Sequence, residues 1–266
     1  MHVKFIKNVS KGGRFNQIYV PKDMERLIEV GDEVEVRLIK KRITLHYSKN
    51  LKKLSEFKEG LIKDIFSFLN ENFDIVAIFA VGSFLTEKIN YNDIDIVLIK
   101  DRNINNFEEG VYSKLVEKFN LKFHLLAMEG EKFRDLLKIC PLTRAMFSSF
   151  ISNTLVNIPK EKYTDKKHIK FLLMMPYDLL DIKLNSRSFF DSIRRLITIE
   201  RFLKNKIFDM GDVNAEIKHS MPEILYRKIR NNEGIDDNSI PALRKIIKSK
   251  LNIIEELLEN SHNGKK

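Results

Sequence analysis

Residues 75–99 of the chain read IVAIFAVGSFLTEKINYNDIDIVLI. Two apolar runs, residues 75–81 and 94–99, have the length and composition of buried β-strands, and Gly82-Ser83 follows the first run directly. Asp93 and Asp95 open the second run, and residues two apart on a strand project from the same face of a sheet. The stretch therefore predicts two buried strands that bring a glycine turn and two carboxylates close together.

The residue types at this turn suit the binding of a triphosphate and a divalent cation. Glycine lets the backbone approach phosphate groups closely, and the hydroxyl and N–H of a serine donate hydrogen bonds to phosphate oxygens. Two carboxylates on one strand face can bind Mg²⁺ or Mn²⁺, and a pair of such ions promotes in-line transfer at phosphorus. Gly82 and Ser83 are therefore candidate phosphate-binding residues, and Asp93 and Asp95 are candidate metal ligands.

The pattern of Gly82-Ser83, nine residues and Asp93-Ile94-Asp95 resembles the signature of the DNA polymerase β superfamily. Over residues 52–158 the chain is similar to the minimal nucleotidyltransferases of archaea and bacteria. The resemblance implies that Asp93 and Asp95 are catalytic and that the protein transfers NMP from an NTP, with Mg²⁺ or Mn²⁺ as cofactor. The acceptor could be a nucleic acid end, a protein hydroxyl or a small molecule.

One part of this signature is missing. The superfamily usually has a third carboxylate on the next strand, where the alternation of residues 121–127 places His124, and the only acid from Gly110 to Ala127 is Glu117. His124 could ligate a metal ion or act as a catalytic base, because imidazole exchanges protons near neutral pH. It could also be structural, or it could mark a site with reduced activity.

Further cations lie near the motif. Lys88, between the glycine turn and Asp93, could help to hold the triphosphate, or it could be a solvated helix residue. Arg144 could lie near the cleft or on the surface.

Residues 1–47 form a separate β-rich module. Alternating runs at 17–20, 33–38 and 42–45 predict short strands, and residues 21–27 predict a helical turn that begins at a proline. The order of these elements over residues 3–46 resembles the AbrB/SpoVT family of swapped-hairpin DNA-binding domains.

This second resemblance implies a homodimer, because so short a segment buries too little surface alone and two copies of such a module interleave into one barrel. It also implies that DNA is bound by the basic residues of the first strand and loop. These residues are Lys4, Lys7, Lys11 and Arg14. An apparent insertion, residues 14–17, leaves dimerisation without DNA binding as the alternative.

The rest of the chain predicts two further domains. Residues 48–159 alternate helices and strands, which indicates an α/β arrangement with a small mixed sheet, including an edge strand at 154–158. Residues 160–266 predict a helical bundle, with helices at 166–185, 187–208 and 240–259 and with Gly211-Asp212 in a loop. The fold class expected for the whole chain is α+β or α/β.

Composition limits the function classes. The formal net charge is +10, and both ends of the chain are basic while residues 51–159 are nearly neutral. The basic ends could meet DNA or RNA, or they could serve solubility. One helix face could guide a nucleic acid acceptor or could simply be solvated. That face carries Arg187, Arg194, Arg195, Arg201 and Lys204.

Targeting signals are not evident in the sequence. No apolar stretch approaches the roughly 18 residues that a membrane span needs, and the N-terminus has no apolar signal region, so a cytoplasmic protein is expected. Cys140 is the only cysteine, which excludes an intramolecular disulfide and predicts a buried thiol.

Three functions remain open from the sequence. The first is the nucleotidyltransferase, dimerised through residues 1–47. The second is a DNA-binding regulator that senses nucleotide without turning it over. The third is an antitoxin-like module that masks a toxin-like protein partner.

Overall fold

The computed structural model describes residues 4–37, 42–51, 53–87, 91–102, 106–206 and 210–260. The chain divides into two compact units, Met1–Lys41 and Arg42–Lys266.

The first unit contains a short hairpin. Strands β1 (Ser10–Lys11) and β2 (Asn16–Gln17) pair antiparallel, and a 3-10 helix at Lys22–Met24 confirms the predicted helical turn. Residues 18–20 and 33–37, predicted as strands, are irregular, since a strand forms only where a neighbouring strand accepts and donates its hydrogen bonds. The swapped hairpin that the sequence implies stays a prediction.

The second unit begins with a mixed sheet and its helices. Its first elements are β3 (His46–Tyr47), α1 (Glu56–Asn72), β4 (Ala77–Val81), a 3-10 turn (Ser83–Leu85), β5 (Ile94–Lys100), α2 (Phe107–Phe119), β6 (Phe123–Glu129), α3 (Gly130–Ile139), α4 (Pro141–Met146) and β7 (Phe150–Ser152). The helices that follow are α5 (Lys166–Asp181), α6 (Ser186–Leu203), α7 (Met210–His219), α8 (Glu223–Arg230) and α9 (Ile240–Asn260), with a 3-10 turn at Asp237–Ser239 before α9.

Within the described residues, the sheet has five strands in the order β3-β7-β4-β5-β6. Strands β5 and β6 are parallel and the other neighbours are antiparallel. Alternate residues face opposite sides, so Ile78 and Ile96 pack with α1 and α2, whereas Phe79 and Val97 pack on the opposite side with α3. The fold is therefore a mixed α+β fold whose central strands β4 and β5 are buried on both faces.

Helices α5 to α9 share a separate core, which also contains Cys140, so the expected buried thiol is confirmed. One prediction about this part of the chain is wrong. Gly211-Asp212 lies in α7 rather than in a loop, because Val213 and Ile217 are buried and their packing outweighs the roughly 1 kcal/mol cost of a helical glycine.

The predicted edge strand at 154–158 lies elsewhere. Strand β7 is formed by Phe150–Ser152, which pairs with both β3 and β4. The predicted strand at 42–45 is also displaced, to His46–Tyr47. Both shifts follow from pairing, because hydrogen bonding to a distant strand selects which residues of an apolar run become β-structure. In the described part of the chain, no helix has both the length and the apolar character needed to cross a lipid bilayer.

Candidate functional site

The turn after β4 is shaped by Gly82. Its φ is +78° and its ψ is −155°, a conformation that glycine adopts and side-chain-bearing residues rarely do. A Cβ at this position would lie 2.0 Å from Oδ2 of Asp95. Glycine is therefore required at this position, both by the backbone conformation and by the carboxylate that lies against it.

Ser83 begins the 3-10 turn that follows this glycine. The Leu85 N–H donates to the Gly82 carbonyl at 3.3 Å, and the Thr86 hydroxyl donates to the Ser83 carbonyl at 2.7 Å. These two hydrogen bonds fold the backbone back at the end of β4. Ser83 is thereby held next to Gly82.

The two candidate acids lie at the start of β5. Strand pairing places Asp95 opposite Val81, the last residue of β4, which explains why its carboxylate meets Gly82. Ile94 and Ile96 are buried, whereas Asp93 and Asp95 are half-buried, so the alternation predicted from the sequence is confirmed. The acids and the glycine turn therefore lie together where β4 ends and β5 begins. This end of the two central strands is called the sheet edge below.

His124 lies beside Asp95 on the neighbouring strand. The parallel register pairs Asp95 with His124, and the imidazole Nδ1 is 3.0 Å from Oδ1 of Asp95. The His124 side chain is 73% exposed and that of Asp95 is 29% exposed. Nδ1 can thus donate to the carboxylate, and in a neutral ring the exposed Nε2 is then the nitrogen that accepts a proton.

The surroundings of Asp95 shift the pKa of its carboxyl group in opposite directions. Burial raises the pKa of its carboxyl group, the hydrogen bond from His124 lowers it, and the neighbouring charge of Asp93 raises it, so the pKa lies above its ordinary value. The guanidinium of Arg194 also lowers the pKa of Asp95. Arg194 belongs to α6, so the helical bundle contributes positive charge to the electrostatics of the sheet edge.

The donor set suits a cation that takes few protein ligands. Across the residues that the structure describes, no three His, Cys, Asp or Glu side chains cluster closely enough to enclose a metal ion. Mg²⁺ is usually bound by one or two carboxylates, with water and substrate phosphates as its other ligands. Asp93 and Asp95 therefore fit Mg²⁺ or Mn²⁺ held together with a nucleotide.

Other candidates from the sequence lie outside this cluster. Lys88 is not among the described residues. The Arg144 guanidinium donates to the carbonyls of Leu137 and Glu161, so it joins backbone segments. The four basic residues predicted to contact DNA belong to the first unit and are all exposed. They are Lys4, Lys7, Lys11 and Arg14.

The basic face predicted for α6 requires a correction. Arg187 and Arg194 both pair with Asp191, at 3.0 and 3.1 Å. Arg201 is buried and pairs with Asp212 and Glu216, and Lys204 pairs with Glu200 at 2.6 Å. Acids on α6 and α7 thus neutralise much of this charge, which a count of arginines along one helix does not reveal.

Lys58 is a residue that sequence reasoning missed. It lies on α1, it is 6% exposed, and its ammonium reaches the turn that begins with Ser83. Its position offered a signal, because Lys58 falls four residues after Leu54 and four before Ile62, in phase with the apolar face of the helix.

Comparisons with known proteins add little to this geometry. No protein-family model matches the chain, and no curated protein matches it. One similar solved structure is the crystal structure of spectinomycin adenyltransferase AAD(9) from Enterococcus faecialis with ATP and spectinomycin. It has a TM-score of 0.40 and 11% sequence identity, over 76% of this chain and 100% of that chain. Because the identity and the TM-score are both low, the function proposed below rests on the site itself.

Proposed function

We propose that the protein is a metal-dependent nucleotidyltransferase that moves NMP from an NTP to an acceptor hydroxyl. The proposal rests on the two contacts of the Asp95 carboxylate, which lies against Gly82 and within hydrogen-bonding distance of His124. A glycine turn, an acid and a potential base thus share one sheet edge. Transfer at phosphorus depends on such positioning of the reacting groups.

In this proposal each residue of the sheet edge has a defined role. Asp93 and Asp95 bind Mg²⁺ or Mn²⁺, and Gly82 and Ser83 bind the triphosphate. An ion held there would supply positive charge, which would lower the pKa of the attacking hydroxyl and neutralise the leaving pyrophosphate. Nε2 of His124 takes the proton of that hydroxyl as its oxygen bonds to the α-phosphorus and the bond to pyrophosphate breaks.

A second candidate function is nucleotide sensing without turnover. It is favoured by the register of β5 and β6, which pairs Asp95 with an imidazole where the superfamily usually has an acid. A site with less negative charge would still bind an NTP but would stabilise a second cation less well.

The test compares three proteins in the presence of each NTP and Mg²⁺ or Mn²⁺. Wild type should bind at least one NTP in calorimetry, and chelation of the metal should abolish binding. Asp93→Asn combined with Asp95→Asn should lose it, whereas Asp101→Asn, an exposed acid just beyond the other end of β5, should not. Equal binding by the double variant would contradict the site assignment.

Transfer is measured separately from binding. An NTP labelled at the α-phosphate should label RNA, DNA, co-purified protein or small-molecule acceptors in the wild type. Metal-dependent binding with no labelled product from any of these acceptors would favour the sensor.

We also propose that the first unit forms a homodimer. Ten of its apolar side chains are exposed, and none of its described residues is buried. They are Ile6, Val9, Phe15, Ile18, Tyr19, Val20, Leu27, Val30, Val34 and Val36. Full burial of one such side chain is worth about 1.5–3 kcal/mol, so a cover over them is favourable, and the resemblance of residues 3–46 to swapped-hairpin domains points to a second copy as that cover.

Deletion of residues 1–41 tests this second proposal. The remaining chain should stay folded, because residues 42–266 form a compact unit of their own, and light scattering should report a monomer where the full chain is a dimer. A dimer after deletion would show that the dimer interface lies within residues 42–266. The same pair of proteins should differ in salt-sensitive DNA binding if Lys4, Lys7, Lys11 and Arg14 contact phosphates.

A further inference from the structure

Lys58 occupies a position where an apolar residue is expected. It lies on the buried face of α1 between Leu54 and Ile62, and it is only 6% exposed. Burial lowers the pKa of Lys58, because it penalises the charged form. A charged group in such a place is destabilising unless the protein supplies hydrogen-bond acceptors. The groups that accept from the Lys58 ammonium therefore indicate its role.

Two of its contacts are backbone carbonyls of the turn after Ser83. The Lys58 ammonium donates to the Phe84 carbonyl at 2.9 Å and to the Thr86 carbonyl at 2.7 Å. Carbonyls at the end of a helical turn have no partner within the turn. Lys58 thus supplies donors to the end of the turn opposite Gly82.

The same ammonium also contacts the chain that leads to Asp93. It lies 5.1 Å from the centre of the Phe84 ring and 5.6 Å from that of Tyr91. The two rings pack edge to face with centres 4.7 Å apart. Phe84 follows Ser83 and Tyr91 is two residues before Asp93, so Lys58 contacts both ends of the segment between the glycine turn and the acids.

We propose that Lys58 is the positioning residue of the nucleotide site, and that it fixes the Ser83 turn relative to Asp93 by tying both to α1. This inference rests on the proposed function, because it assigns Ser83 to the triphosphate and Asp93 to the cation. Lys58 acts through the backbone of the turn and through the two rings, and it does not act on the reacting atoms.

The test combines nucleotide binding with hydrogen exchange. Lys58→Met keeps the length and the apolar stem but removes the donors, Lys58→Arg keeps the charge, and Lys63→Met is the matched control on the exposed side of α1. Calorimetry measures the affinity for each Mg²⁺-bound NTP, and mass spectrometry measures amide exchange in residues 82–87 and 94–100 of the ligand-free protein.

We expect Lys58→Met to weaken NTP binding by roughly 10- to 100-fold, because small displacements of positioned groups have effects of this size. Exchange should accelerate in residues 82–87 and stay unchanged in β5, which a general loss of stability would not produce. Lys58→Arg should recover part of the affinity, and Lys63→Met should match wild type. If Lys58→Met does not fold, Lys58→Gln, whose amide can still donate to one carbonyl, takes its place.

Two results would overturn the inference: NTP binding by Lys58→Met within threefold of wild type, or unchanged exchange in residues 82–87. A wild-type protein that binds no NTP is a different result, because it contradicts the proposed function. In that case the exchange data from the ligand-free protein still decide whether Lys58 fixes the turn.

Discussion

The sheet edge and the helical bundle both bring acids and bases within hydrogen-bonding distance, but they leave them in different states. At the sheet edge, His124 is 73% exposed and meets one carboxylate, that of Asp95. In the bundle, the Glu200 side chain is 10% exposed and receives hydrogen bonds from Lys204 and Lys250, each at 2.6 Å. Each oxygen of the bundle acid accepts from a lysine of its own chain, whereas the imidazole at the sheet edge is largely exposed.

This comparison shows that the number of charged side chains in a region does not indicate how many of them are exposed and unneutralised. Helix α6 carries Arg194, which influences the pKa of Asp95, and seven residues later Arg201, which is buried against Asp212 and Glu216. Both count equally in the net charge of the chain. Only the tertiary structure distinguishes them, because Arg201 is buried between two acids of α7, whereas Arg194 is partly exposed and pairs with Asp191 of its own helix.

The largest effect is expected for His124. Its replacement by alanine should lower the rate of nucleotidyl transfer by roughly 10²- to 10⁴-fold if the ring is the base, the usual contribution of a positioned proton acceptor. His124→Asp should preserve or raise the rate if the position needs a ligand, because a carboxylate binds Mg²⁺ better than imidazole does.

Initial rates measured against pH separate these two roles. A base predicts a limb in the wild-type profile that disappears in His124→Ala. If His124→Ala transfers NMP at the wild-type rate, His124 takes no part in the reaction, which then depends on Asp93 and Asp95 alone. If wild type is inactive and His124→Asp restores transfer, the native protein is a sensor.

A smaller effect, about 10²-fold on transfer, is expected for Gly82→Ala, because misplacing a reacting group by about 1 Å has this consequence. The new Cβ would lie 2.0 Å from Oδ2 of Asp95 and the backbone φ of +78° disfavours alanine, so either the carboxylate or the turn must move. Steady-state kinetics provides the measurement.

Gly60→Ala is the matched control for this substitution. Gly60 lies within α1, and a Cβ there would meet no atom within 4 Å. The control should keep its rate and gain about 0.5–1 kcal/mol of stability, because alanine favours a helix. A Gly82→Ala variant as active as the control would show that the contact with Asp95 does not matter.

The smallest effect is expected in the bundle and concerns stability rather than transfer. Glu200→Gln should lower the free energy of unfolding by about 1–3 kcal/mol, because it weakens hydrogen bonds between charged groups at a nearly buried site. Lys183→Ala, which removes an exposed partner of Asp237, should cost less than about 1 kcal/mol. Urea unfolding measures both changes in the free energy of unfolding. Equal losses would contradict the distinction between the nearly buried Glu200 and the exposed pair of Lys183 and Asp237.

The same acid predicts a pH dependence. Burial alone would raise the pKa of Glu200, but hydrogen bonds from Lys204 and Lys250 outweigh it and the pKa lies below its ordinary value. A lowered folded-state pKa contributes stability above the unfolded pKa, about 4.3 for glutamate, and loses it as pH falls through the folded value. The wild type should therefore lose more stability on acidification than Glu200→Gln, and parallel curves would contradict the assignment.

Much of the sheet could be predicted from the sequence because its signals are local. The apolar runs became β4 and β5, the alternation of residues 121–127 became β6, and the register set His124 beside Asp95 as expected. Periodicity predicts such elements because each strand is buried on at least one face. The predicted helix at 107–119 agrees with α2 for the same reason.

Predictions failed where pairing over long distances selects the structure. Strand β7 formed at Phe150–Ser152 because β4 and β3 lie on either side of it, whereas residues 154–158 are equally apolar but have no such neighbours among the described strands. The predicted N-terminal strands at 33–38 and 42–45 failed in the same way over the residues that the structure describes, 33–37 and 42–45. An isolated run of alternating residues does not specify its partner.

By itself, the sequence determined where the central strands lie along the chain and the spacing that brings Gly82, Asp93 and Asp95 to one edge, since side-chain alternation and strand length are properties of the local chain. Only the tertiary structure decided which charges serve the fold and which remain open to a ligand. Lys58 reaches Phe84 and Thr86 across 26 and 28 residues, and Arg201 meets its acids on another helix. Such contacts depend on how helices pack, and packing is set by the shape of the whole core rather than by any one segment.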